Sequence, residues 1–298
     1  MKPSKPSATA ALILKAVLFT AQDSKNGFLV SPEAARLSRQ MVLHVFSCPK
    51  LFLFLIKNAL FRWILKTIEG LFNPGFILHV AARKRLIDRL GVEAINKGCK
   101  QVVVVGAGYD TFGMRTATAF KDVNCFEVDH PQTQESKRSS FSGQTIPPNC
   151  YFIAADLSVD AISQVLQTNP KFDVSKSTLV VIEGVLMYLP ARAVEKLLKD
   201  LLSLLSGGVI CVFTFMNRQP NGEIQFQTAH PLVNWWLKQK NEPFFWGIEK
   251  DELVPYMKKI GFRDATVFGK SEMIKEFFCN ESVPPQLAEG ELVGLANS

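Results

Sequence analysis

The 298-residue sequence lacks an uninterrupted apolar run of the ~18 residues that a membrane-crossing helix requires. Its most hydrophobic stretch, LFLFLIKNALFRWILKTIEGLF at residues 51–72, is broken by Lys57, Arg62 and Lys66. That pattern predicts a buried or interfacial helix and no stable membrane insertion; contact of this segment with a membrane surface or a partner stays open. The six cysteines (Cys48, Cys99, Cys125, Cys150, Cys211, Cys279) form no C-x-x-C pair, and the four histidines show no ligand spacing. A metal site is therefore not expected, and reduced thiols in a cytoplasmic protein are. The one G-K-S, Gly269-Lys270-Ser271, has Asp264 where a Walker P-loop needs its first glycine, which excludes that motif. Its net charge of +7 is not gathered into a patch; the densest basic run is Arg83-Lys84-Arg85. Nucleic acid is not an expected partner, because its footprint clusters. The N-terminus has a basic start and an apolar patch, but Lys15 interrupts the patch and no small-residue cleavage site follows, so it reads as a helix capped by Ser7 or Thr9.

What is present is a change of texture near residue 98. Residues 8–97 are helical in pattern, punctuated at Asn26-Gly27, Pro32, Pro49 and Asn73-Pro74-Gly75. Beyond Gly98, short apolar strands alternate with amphipathic helices. The strands are QVVVVGA (101–107), NCFEVD (124–129), YFIAAD (151–156), TLVVIEG (178–184), GVICVFTFM (208–216) and ATVFG (265–269). Near-continuous apolar strands belong to a parallel sheet covered by helices on both faces. The expected architecture is α/β: a helical N-terminal cap over 1–97 and a Rossmann-like doubly wound domain over 98–298. Residues 217–247, with three of the four tryptophans, form an excursion that is read either as a substrate-side insertion or as a helical insert whose aromatics pack inward.

The motif VVVVGAGYDTFGMR (102–115) places Gly106 and Gly108 between a strand and a helix. The dinucleotide fingerprint would need a third glycine at position 111, which is Thr111. The turn is therefore not shaped for a pyrophosphate in the usual way. Asp129 ends the second strand, about twenty positions on, where a carboxylate accepts both ribose hydroxyls; an N-cap for the helix at Pro131 is a compatible second use. Asp156 and Glu183 end the next two strands, with helix capping the alternative for Asp156. Carboxylates along one sheet edge suit an adenosine ligand with a cationic tail, not a nucleoside triphosphate.

Together VVVVGAGYDTFGMR, FEVDHPQTQESKR, AADLS and VIEGVLMYLP resemble the motifs of the leucine carboxyl methyltransferase family, in particular its bacterial-type branch of S-adenosylmethionine-dependent O-methyltransferases. SATAALILKAVL, SPEAARL and AARKRLID are similar to that family's segments before the first strand, so the resemblance covers most of residues 7–270. It implies a class I methyltransferase fold with S-adenosylmethionine as cofactor. By resemblance, Arg83 would pair with the methionine carboxylate and Gly106, Gly108 and Asp110 would line the cofactor. Asp129 would hold the ribose, Asp156 and Leu157 would frame the adenine, and Glu183 would face the methionine amino group. Lys15 is a candidate match to a basic cofactor-contacting position. Phe112 departs from the usual G-x-D-T-R arginine, and Tyr109 stands where leucine is common.

The implied reaction methylates a carboxylate or hydroxyl of a small molecule, or a terminal carboxyl group. A carboxylate needs no general base, and no His or Lys is an evident one. Tyr188 is placed only to position a substrate. The competing readings are a nicotinamide-dependent oxidoreductase, opposed by the missing third glycine and the lack of Tyr-x-x-x-Lys, and a non-catalytic S-adenosylmethionine-binding interaction module.

Overall fold

The apolar runs become the middle of an eight-stranded sheet in a computed structural model that describes residues 7–240 and 242–298. The strands are β1 (Gln101–Val105), β2 (Asn124–Asp129), β3 (Cys150–Ala154), β4 (Thr178–Ile182), β5 (Val209–Asn217), β6 (Gly247–Ile248), β7 (Asp264–Phe268) and β8 (Glu291–Asn297). Their order is β3-β2-β1-β4-β5-β8-β7, with β6 beside the end of β5. All pairings are parallel except those of β8, which runs antiparallel between β5 and β7. The chain winds outward from β1 to β3 and returns to β4 on the other side of β1. That reversal opens a crevice at the carboxyl ends of β1 and β4, where doubly wound sheets hold ligands.

Alternation along β1 explains why it reads as pure valine. Val102 and Val104 join one apolar core, Val103 and Val105 the other. The second core is closed by α8 (Ile162–Gln167), α9 (Ala191–Leu204) and α11 (Leu253–Ile260) through Leu166, Leu198 and Met257. The first contains residues of α1 (Ala8–Ala21), α2 (Pro32–Val45), α5 (Phe76–Asn96), α6 (Phe112–Ala119) and α12 (Lys270–Phe277). The helices before β1 thus share an apolar core with the sheet. Of the other two helices before β1, α3 (Pro49–Leu55) adds Leu53 to this core, while α4 (Ala59–Phe72) buries no residue. Their starts follow from capping chemistry. The Ser7 hydroxyl accepts from the Ala10 N–H at 3.1 Å, Ser31 caps α2 ahead of Pro32, and the Asn58 side chain caps α4.

β6, β8 and α12 are additions to the strands and helices read from the sequence. The excursion at 217–247 carries α10 (Pro231–Gln239) and ends in β6. Its aromatics divide: Trp246 is buried in the second core while Trp235 is exposed. The Met187 carbonyl accepts from the N–H groups of Phe245 (2.7 Å) and Trp246 (3.2 Å), fastening the excursion over the loop after β4. α7 (Pro131–Ser139) follows β2.

Candidate active site

A cavity of about 480 Å³ opens at the carboxyl edge of the sheet. Gly106, Gly108, Asp110, Asp129, Asp156, Leu157, Glu183 and Tyr188 all line it, so nearly every residue singled out in the sequence meets there. Gly106 and Gly108 have positive φ of 65° and 48°. At Gly106 glycine is also needed for space, because an added Cβ would lie 2.3 Å from the Val185 side chain.

Asp129 braces that turn. Its Oδ2 accepts from the Gly108 N–H at 2.5 Å, and its Oδ1 from the His130 N–H at 2.6 Å. Burial raises its pKa, against the pull of those two amides. It does not cap α7; the His130 ring nitrogen does, accepting from the Gln132 N–H. Each carboxylate oxygen keeps a lone pair for a ligand hydroxyl. Asp156 is likewise no helix cap. Its Oδ1 takes the Ser158 hydroxyl (2.6 Å) and N–H (3.0 Å), and these bonds hold its carboxyl below the usual range.

At the β1–β4 end lies a buried charge cluster. Glu183, just past β4, accepts from Arg83 Nη2 at 2.7 Å and from Lys84 Nζ at 3.0 Å. Lys84 also reaches Asp110 at 3.2 Å. The Arg83 Nη1 group is bonded to Glu291 of β8, whose Oε2 lies 3.5 Å from His79 Nε2. Arg83, expected to contact the cofactor, is not among the residues that line the cavity. Arg83 is 2% exposed, sits behind the cavity wall, and spends its guanidinium on two protein carboxylates. Lys84, the next residue on α5, lines the cavity instead. Burial lowers the Lys84 pKa, but Asp110 and Glu183 outweigh it and the net shift is upward, so the ammonium stays charged. Burial alone would raise Asp110, yet Lys84 and Arg115 hold it well below the usual carboxylate range.

Phe112, which replaces an arginine of the resembled motif, packs its ring against Gly91 of α5. The ion pair to α5 is supplied one turn later, by Arg115 gripping Asp88 at 2.6 and 2.8 Å. Lys15 is exposed, its ammonium 4.6 Å from the centre of the Phe46 ring, and is not part of the cavity wall. Sequence reasoning missed Lys84, Glu242 and Glu291. Glu242 receives the Ala8 and Thr9 N–H groups, each at 3.0 Å, and the Thr9 hydroxyl at 2.5 Å. It ties the excursion to the start of α1 across the cavity mouth. Only the spacing of Ala81, Lys84 and Asp88 as one face of α5 hinted at Lys84; nothing local marked the two glutamates. Among the described residues no cluster suits a metal ion.

Glu291 makes the cluster sensitive to acid. Burial would raise its pKa, but Arg83 and His79 hold it down to about 2 against an ordinary 4.5. A depressed folded-state pKa contributes stability above the unfolded value and loses it as pH falls through the folded one. Wild-type protein is expected to lose unfolding free energy from about pH 5 down towards 2. Glu291→Gln should start less stable and lose less over that range, which denaturant unfolding at several pH values measures. Parallel pH profiles would contradict the assignment.

Fold and site together define a Rossmann-like doubly wound protein with a ligand cleft at its strand-order reversal. The family profile described as leucine carboxyl methyltransferase matches residues 13–202. The chain belongs to that family. A Mycobacteroides abscessus protein, provisionally named an S-adenosyl-L-methionine-dependent methyltransferase, is 32% identical over 140 residues, covering 46% of this chain and 45% of that one. A relative from Mycolicibacterium gilvum with the same provisional name is 32% identical over 131 residues, covering 43% and 42%. The chain thus spans less than half the length of these relatives. A solved structure from Thermobifida fusca, provisionally assigned as a methyltransferase, superposes with a TM-score of 0.56 at 17% identity over 81% of this chain and 90% of that one, a likeness of fold.

Proposed function

We propose that this protein is an S-adenosylmethionine-dependent O-methyltransferase acting on a carboxylate or hydroxyl of a small molecule, or on a terminal carboxyl group. The observation that carries this reading is the order of groups around one cavity: Lys84, Asp110 and Glu183 at one end, Asp129 beside the glycine turn, Asp156 and Leu157 beyond. Lys84 would take the ligand's carboxylate, with Glu183 and Asp110 beside its ammonium. Asp129 would accept the ribose hydroxyls, and Asp156 and Leu157 would frame the adenine. A pyrophosphate would meet Asp110 and Asp129 at this turn, which counts against a nicotinamide dinucleotide.

When bound, the cofactor supplies a methyl on a sulfonium, whose loss to an acceptor oxygen leaves a neutral thioether. The chain's own residues align the partners and exclude water. Ile13, Val17, Val30, Leu189 and Phe245 give the cavity an apolar side for the acceptor. Burial raises the Tyr188 phenol, and the neighbouring Thr9 only partly offsets this. Tyr188 therefore stays protonated, a donor that orients an acceptor oxygen and not a base. That favours an acceptor already ionised, a carboxylate. Six free cysteines, four of them buried, fit a reducing cytoplasmic setting.

Calorimetry tests the cofactor. S-adenosylmethionine and S-adenosylhomocysteine should bind with Kd in the micromolar range or below, and NAD should not. Binding of NAD alone would favour an oxidoreductase. Labelled methyl transfer into a cell extract separates an enzyme from a binding module, since a module would bind cofactor and label nothing.

A further inference from the structure

Not one of the fourteen residues of α4 is buried, although most are apolar. Phe61 and Leu65 rest partly on the first core. The other side presents Leu60, Trp63, Ile64, Ile68 and Leu71, each between 41% and 70% exposed. Their spacing of i, i+3, i+4, i+8 and i+11 makes one stripe along the helix. α3 adds Leu51 and Phe54, also exposed. The stripe continues past the end of α4, where the Phe72 carbonyl accepts from the His230 N–H at 2.7 Å and the two rings meet. That contact brings the start of α10, with Leu232 and Trp235 exposed, alongside. Surface patches of this extent mark an interaction site.

The charge around the stripe identifies what it fits. Residues 46–72 contain Lys50, Lys57, Arg62 and Lys66 and a single acid, Glu69. Glu69 turns inward to accept from the Ile77 N–H at 2.8 Å. Arg62 bonds the carbonyls of Ile56 and Lys57 at the end of α3, and Lys66 pairs with Asp23. Lys50 and Lys57 are exposed without an ion-pair partner among the described residues. A second copy related by a two-fold axis would set this cationic surface against itself. An anionic bilayer surface satisfies both parts: apolar side chains enter the headgroup boundary and the lysines meet lipid phosphates. No helix among the described residues is long and apolar enough to cross a membrane, so α4 would lie in the plane of the interface.

We propose that the α3–α4 face docks this protein peripherally on an anionic phospholipid bilayer. The docking does not depend on the methyltransferase reading. The test is sedimentation of the full chain with vesicles of phosphatidylcholine, alone or mixed with phosphatidylserine. The protein should pellet with the mixed vesicles and be released by salt. Phe54→Ser with Trp63→Ser should lower partitioning roughly a hundred-fold, from the apolar area withdrawn. Lys50→Glu with Lys57→Glu should lower it roughly ten-fold or more. All four positions are exposed, so thermal unfolding should match wild type; if the apolar variant misfolds, the charge variant still decides. No pelleting with either vesicle, or pelleting indifferent to the folded variants, overturns the proposal. A dimer in sedimentation equilibrium that Trp63→Ser dissolves, or an acidic protein that competes the vesicles away, also overturns it.

Discussion

Arg83→Ala is expected to lower the unfolding free energy by about 3–5 kcal/mol, the usual cost of leaving buried charges without their partner. The guanidinium stands between Glu183 and Glu291, whose side chains are 8% and 3% exposed. Its loss leaves Glu291 buried without its guanidinium partner and Glu183 with Lys84 alone. Arg83→Lys keeps the charge but not the two-pronged geometry and should fall between. Lys84→Ala should cost less stability, because Lys84 is the more exposed of the two cations, and should weaken binding of S-adenosylmethionine directly. Denaturant unfolding and calorimetry on the three variants separate the roles. If Arg83→Ala unfolds like wild type while cofactor affinity collapses, a direct contact by Arg83 is restored.

Asp129→Ala should reduce cofactor affinity by roughly ten- to a hundred-fold, since charge-assisted hydrogen bonds contribute about 1.5–3 kcal/mol. The substitution also strips the Gly108 and His130 amides of their acceptor. Asp129→Asn keeps a side-chain oxygen for one amide and should bind better than the alanine variant. Unchanged affinity in Asp129→Ala with an earlier melt would leave Asp129 as a brace for the turn and nothing more.

The parts of this arrangement that were legible in the sequence are those governed by local rules. β1, β2, β4 and β5 were readable because burial on both faces forces continuous apolar runs, and Gly106, Asp129, Asp156 and Glu183 because strand ends punctuate those runs. β8 was not: ELVGLAN begins with a charge and carries Gly294, whose lack of a side chain admits the Phe213 ring. Its pairing with β5 is long-range, and Glu291 acquires meaning only once that strand lies beside α5. Which of Arg83 and Lys84 lines the cavity was not legible, for a geometric reason. Neighbouring positions on a helix point about 100° apart, and a basic trio does not say which member turns inward. The family motifs marked the turn of α5 that reaches the cavity, where Lys84 and not Arg83 lines the wall. Glu242 was invisible because its partners are the backbone amides of α1, some 230 residues away.

β8 is the last of the eight strands to be synthesised, yet it occupies a place inside the sheet, between β5 and β7. Until it emerges from the ribosome, β7 has no neighbour to pair with and Arg83 has only Glu183. A nascent chain halted before residue 290 would thus carry most of the cleft with its charge cluster unfinished. The order of synthesis makes completion of the site a late event among the eight strands.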